Sequence, residues 1–149
     1  MAAGIPETLA ANAESLVELR ALVGRLSNAD LARPLGGGWT VATALGHLAV
    51  WDMRAATMAD RWKRDNRVSG VNIDDECVNE AVEPLLLVTP GRSLATIALA
   101  AAAAANTAIG RLPADLLARA LAHDAVFNAA RHEHRHEHIE QIERALAGG

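Results

Sequence analysis

Apolar residues in this chain recur at three-, four- and seven-residue intervals over stretches of about twenty residues, with glycine or proline in the gaps between them. A chain patterned this way can bury its apolar side only as amphipathic helices. In the first stretch, residues 6–26, Leu9, Leu16, Leu19, Val23 and Leu26 keep the spacing, and Pro6 is tolerated in an opening turn. Residues 27–38 hold Asn28, Asp30, Pro34 and three consecutive glycines, and read as a loop. Thr40 stands where an N-cap belongs, before a second stretch that reaches Asp65. There Ala44, Leu48, Trp51, Ala55, Met58 and Trp62 share one stripe at about 100° per residue, with His47 inside it and Arg61 and Arg64 outside. Residues 66–90 break the pattern. A long crossover is expected there, with a short helix over 76–82, because Pro84 and Pro90 interrupt any longer one. Ser93 is placed to cap a third helix ending near Leu112. A fourth stretch runs from Ala114, or in its main part from Asp124, to Leu146.

Composition agrees with helices. Alanine makes up about a fifth of the chain, Tyr is absent and Phe127 is the one phenylalanine, so the best helix former is abundant and typical strand residues are scarce. The expected fold is all-α: one domain over residues 1–149, a four-helix bundle with a long crossover between the second and third helices. A formal net charge of −4 argues against a nucleic-acid partner, which calls for a basic face. Cys77 is the single cysteine, so no internal disulfide can form, and nothing beside it in sequence argues for a reactive thiol. No targeting segment is evident, and the apolar run over 94–105 is shorter than the ~20 residues a bilayer requires. A cytoplasmic protein without a membrane partner is the expectation.

Histidine distribution carries the chemistry. Five of the six histidines lie in the fourth stretch, four of them alternating at 132, 134, 136 and 138. Two imidazoles four residues apart on a helix can hold one ion, and both His132/His136 and His134/His138 have that spacing. With Phe127 as reference, His134 and His138 lie roughly 20° to either side of it, while His136 points about 180° away beside Glu140 and Glu143. The first pair should face the interior and His136 the solvent. His47, on the apolar stripe of another helix, can supply a third ligand, as facing helices do in bundle metal sites. Three histidines leave positions open for water or substrate, which is catalytic rather than structural geometry. The bland alternatives are a satisfied core histidine at 47 and a compositional tract at 132–138.

Two segments then resemble the DinB-like superfamily of metal-binding four-helix bundles. Gly38-Trp-Thr-Val-Ala-Thr-Ala-Leu-Gly-His-Leu-Ala-Val-Trp-Asp52 is similar to that family's Trp-Ser/Thr entry into the second helix, with a histidine eight residues after the tryptophan. His134-Arg-His-Glu-His-Ile-Glu-Gln-Ile142 resembles its His-x-x-x-His followed by an aliphatic residue, any residue, Gln and Ile or Leu. Between them, Ile73-Asp-Asp-Glu-Cys-Val-Asn79 looks like the acidic, Asn-containing crossover of many members. The resemblance implies a divalent ion (zinc, nickel or iron) on His47, His134 and His138, with His132/His136 as the competing register, and it implies dimers. Members include mycothiol-dependent maleylpyruvate isomerases and bacillithiol transferases. The isomerases' additional carboxy-terminal domain has no counterpart here, which points away from that activity. The expected function is a metal-dependent transfer of a low-molecular-weight thiol to a small electrophile. The alternatives are a metal- or small-molecule-binding stress-response protein without turnover, and a structural bundle whose histidines fill a core.

Four residues hold lesser claims. Asp52 lies off the main stripe and reads as a solvated helix-face charge, with orientation of a histidine as its functional alternative. Asn79 either caps a short helix or lines the pocket mouth. Trp51, one turn from His47, packs in the core or walls the site. His123, near a helix start, should be exposed.

Overall fold

The computed structural model describes residues 4–70 and 72–148; residues 1–3, where a targeting segment would begin, residue 71 of the crossover and the terminal residue 149 lie outside the described residues. In chain order it forms α1 (Ile5–Arg25), α2 (Asn28–Leu31), β1 (Pro34–Gly36), β2 (Trp39–Thr40), α3 (Val41–Asp65), α4 (Asp75–Val88), α5 (Gly91–Gly110), α6 (Ala114–Ala122), α7 (Asp124–Phe127) and α8 (Arg131–Ala147). The fold is all-α apart from the β1–β2 ladder. The four longest helices carry the packing: α3 lies along α5, α1 lies against α8 and α5, and α3 also meets α8.

Local chemistry explains most boundaries. Thr40 caps α3, its hydroxyl accepting from the Thr43 N–H at 3.2 Å. Asn66 closes the helix in the left-handed region at φ 48°. The loop expected at 27–38 is more ordered than its composition indicates. Ser27 and Asp30 form a reciprocal capping box on α2, and Gly36, Gly37 and Gly38, at φ 99°, 61° and 83°, make the turn that folds β2 back onto β1.

Three expectations are corrected. The helix foreseen at 76–82 runs over Asp75–Val88 with Pro84 inside it. Proline removes one N–H bond, and α4 is mostly exposed, where water can take up the carbonyl left without a donor. The third helix opens at Gly91 behind Pro90, so Ser93 lies within its first turn and caps nothing. The fourth stretch is three helices. His123 interrupts it, exposed as expected, and Asn128 breaks it again at φ 58°. Asp124 fixes that second break by accepting from the N–H groups of Ala129 and Ala130 at 2.6 and 3.1 Å. Phe127 therefore sits on α7 and is no phase reference for the histidines of α8.

The alanine run is used within the chain. Ala95, Ala98, Ala101, Ala102, Ala105 and Ala108 are buried on α5, and Ala55, Ala56 and Ala59 are buried on α3, which packs along it. Small side chains let the two backbones approach closely. By length and composition α5 is apolar enough to cross a membrane, a property the 94–105 run alone did not show; 44% of its apolar window is buried inside the fold. Two apolar clusters result. One gathers Leu19, Leu22, Leu45, Leu48 and Ile142; the other gathers Trp62, Ile109, Leu117 and Phe127. Between them lies a buried polar layer of Asn12 and Ser15 from α1, Asp52 from α3, and Arg131 and Arg135 from α8.

Candidate metal centre

His47 sits in the second turn of α3, and its placement is tight. A Cβ on the neighbouring Gly46 would stand 2.8 Å from a Leu86 methyl and 3.0 Å from one of Leu94, so glycine there lets α4 and α5 close on α3. His47 is 6% exposed. The Trp39 ring lies 5.0 Å from it edge-on and the Trp51 ring 6.3 Å away, so two tryptophans wall the imidazole.

His134 and His138, one turn apart on α8, meet it. The Nε2 of His134 lies 3.0 Å from the Nε2 of His47 and 3.2 Å from that of His138, and the candidate ligand atoms of all three rings fall within 4.8 Å of one another. Two nitrogens on one ion, each ~2.1 Å from it and about 90–100° apart, have just such separations. The three histidines are close enough to hold a metal ion. His132 and His136 are elsewhere: His132 lies with Nδ1 3.2 Å from Asn12 Oδ1, and His136 lies with Nε2 3.0 Å from Glu18 Oε2. The competing register is not brought to His47.

Burial biases these rings toward the neutral form that ligation needs. Desolvation, then the His138 and Arg131 charges, push His47 from 6.5 down to about 4. Desolvation and the adjacent Arg131 guanidinium push His134 to about 2. His138 is lowered chiefly by burial, with opposing help from Gln141 and Glu137. The outer nitrogens differ. Nδ1 of His138 lies 2.9 Å from Gln141 Oε1, an acceptor; Nδ1 of His134 lies 3.0 Å from Arg131 Nη2; Nδ1 of His47 is buried without a hydrogen-bond partner among the described residues.

Asp52 requires the plainest correction. Instead of a solvated charge it is fully buried, receiving Arg131 Nε at 2.7 Å and Arg135 Nη2 at 3.0 Å on Oδ1, and Arg135 Nε at 3.2 Å on Oδ2. Through Arg131 it stands behind His134. Asn79 takes the pocket role: it accepts from Trp51 Nε1 at 3.0 Å and lines a cavity of about 280 Å³ with His47, His134, Trp51, Asp75, Glu133 and Glu137. Arg131 and Arg135 were missed by sequence reasoning, and Gln141 stood in the quoted motif without a role. Their signal was present, since the two arginines repeat the four-residue spacing of the histidines, each three residues before one. The chain matches no family model, no curated protein and no solved structure.

Proposed function

We propose that this chain is a DinB-type four-helix bundle, with α1, α3, α5 and α8 as its members, that binds one divalent ion through His47, His134 and His138 and transfers a low-molecular-weight thiol to a small electrophile. The observation that carries the reading is the convergence of three Nε2 atoms, that of His134 lying 3.0 Å from His47's and 3.2 Å from His138's, with His47 and His134 lining a polar cavity. The motifs that resemble the DinB-like superfamily select the same three residues. Zinc, nickel and iron all accept imidazole donors. Such an ion supplies a Lewis acid that lowers the pKa of a thiol or water beside it.

The chain's own side chains supply the surroundings. Trp39 and Trp51 shield His47 from solvent, and Trp51 orients Asn79 at the cavity wall. Among the described residues no Ser, Thr, Cys or Lys lines the cavity, and Cys77 is exposed on α4. The attacking sulfur therefore belongs to a cosubstrate rather than to the protein. A reducing cytoplasm suits both a free thiol and an unpaired Cys77. Six alanines of α5 are buried within the chain, and the exposed Leu85, Leu87 and Val88 of α4 are the apolar surface offered to a second copy. Sedimentation at micromolar concentration should show that dimer.

Metal analysis of protein purified without a histidine tag tests the site. One equivalent is expected in the wild type and none in His47→Ala, and the loaded wild type should accelerate conjugation of a small thiol to an electrophile while the variant does not. Absence of metal in the wild type rejects the reading. Metal without conjugation favours the non-catalytic binding protein.

A further inference from the structure

A ring nitrogen that ligates an ion presents its lone pair, so the proton of a neutral imidazole must sit on the other nitrogen. Ligating histidines give that outer N–H to an acceptor. His138 is prepared in this way, because Gln141 Oε1 at 2.9 Å accepts from Nδ1 and leaves Nε2 bare toward the triad. His134 is prepared the opposite way. Its Nδ1 faces Arg131 Nη2 at 3.0 Å, and a guanidinium only donates. That bond exists only when Nδ1 holds the lone pair, which puts the ring's proton on Nε2, the atom aimed at His47 and His138.

We propose that Arg131 is a latch on the triad: without metal it holds His134 with its proton on Nε2, and loading a divalent ion requires His134 to carry that proton on Nδ1 and give up the Arg131 bond. The proton balance is closed, since one proton leaves Nε2, one arrives on Nδ1 through solvent, and the ring stays neutral throughout. Two physical terms make the latch oppose loading. An Nδ1–H cannot face the Nη2 donor, and the buried guanidinium lies beside the place a dication would take. Asp52 does not cancel that charge, because it is shared with Arg135 and leaves two cations against one anion. Arg131 is also the less firmly held of the two arginines. Among the described residues its Nη1 has no partner and its Nη2 meets only His134, so yielding at Nη2 costs a single hydrogen bond. Arg131 is a positioning residue, acting on the metal through His134.

The loading half of the proposal rests on the metal reading above; the tautomer half stands without it. Long-range ¹H–¹⁵N correlation spectra of the chelator-treated, labelled full chain read the tautomers directly. His134 should show Nε2–H, and His138, as the internal contrast, Nδ1–H. Added zinc should move the His134 proton to Nδ1. Arg131→Gln, whose side-chain oxygen can accept Nδ1–H, should bind zinc at least ten times more tightly in chelator competition, while Arg131→Lys, which keeps charge and donor, should retain the wild-type tautomer and affinity. Should Arg131→Gln not fold, the wild-type spectrum and the Arg131→Lys affinity decide. Zinc on Arg131→Gln alone supports the latch. Wild-type His134 already carrying Nδ1–H, with equal zinc affinity in both proteins, overturns the latch and leaves the metal reading standing. Zinc on neither overturns both.

Discussion

Two guanidinium groups sit one turn apart on α8, both fully buried and both bound to Asp52, yet their surroundings differ. Arg135 is paired at every nitrogen. Its Nη1 shares two N–H groups among Asn12 O, Ser15 Oγ and Asn106 Oδ1, its Nη2 donates to Asp52 and Ala102 O, and its Nε to Asp52. These partners come from α1, α3 and α5, so one side chain ties α8 to all three. Arg131 reaches Asp52 and His134 and leaves Nη1 without an acceptor among the described residues; His47 nearby leaves Nδ1 equally bare there. Buried polar groups that are fully satisfied specify packing, and unsatisfied ones in a native structure call for another explanation. The two ends of one polar layer thus separate a structural task from a chemical one.

The largest effect should come from the carboxylate the two ends share. Asp52→Ala leaves two buried guanidinium groups without their counter-charge, and a loss of about 3–5 kcal/mol of folding stability is expected, as when one partner of a buried ion pair is removed. Urea unfolding of the chelator-treated protein measures it. A loss under ~1 kcal/mol would mean that water reaches Arg135 and that the contrast between the two ends is not real.

At the triad the ordering should reverse, with function lost and stability kept. Outer-sphere changes alone cost about 10–100-fold in metal affinity, so His138→Ala, which removes a ligand, is expected to cost more than ~100-fold in zinc affinity. Metal-free unfolding should shift by less than ~1 kcal/mol, because His138 is half-buried and its Gln141 bond is replaceable by water. Zinc titration and urea midpoints on one variant give both numbers.

The triad end should also be the part that acid weakens. All three ring pKa values are held below the unfolded value of 6.5, so below that pH the unfolded chain takes up protons that the native chain resists. The stability these rings contribute is whole above pH ~6.5 and is lost as pH falls through the folded values, about 4 for His47. Between pH 7 and 5.5 the loss should approach about 1 kcal/mol each for His47 and His134 in metal-free protein, with His138 adding in the same direction. Urea midpoints across that range, compared with those of His47→Ala, test the slope; an unchanged slope in the variant would remove His47 from the account.

The sequence carried the helices and the triad more clearly than the layer between them. Periodicity located α1 and α3 within a residue or so, because their apolar spacing is regular and Thr40 caps as expected. It joined α6, α7 and α8 into one, since the left-handed turn at Asn128 depends on Asp124 reaching forward to Ala129 and Ala130, a tertiary-like bond invisible to spacing. The convergence of His134 and His138 with His47 was legible although the phase reference, Phe127, lies on another helix; the interior of α8 belongs to Arg131, Arg135, Ile139 and Ile142, and His134, His136 and His138 are all half-buried. Asp52 was misread for a different reason. It belongs to the row Leu45, Leu48, Asp52, Ala55, Ala59 and Trp62, but centring the stripe on Trp51 placed it outside. A carboxylate on an apolar row is a strong signal once arginines at 131 and 135 are available to meet it.

The smallest effect should belong to His136, two residues from each ligand. It is 40% exposed and its Nε2 lies 3.0 Å from Glu18 Oε2, which is itself 52% exposed. An ion pair between side chains this exposed contributes about 0–1 kcal/mol. His136→Ala should therefore change stability at pH 7.5 by no more than ~0.5 kcal/mol and leave one equivalent of zinc in place. The comparison with His138→Ala is stringent because both substitutions remove one imidazole from the same helix and the same histidine-rich tract. A tract binding zinc by composition alone would respond to either loss alike. A site made by three converging nitrogens responds to one and ignores the other. Equal weakening by His136→Ala and His138→Ala would dissolve the triad into the tract, and with it the contrast between the two ends of the polar layer.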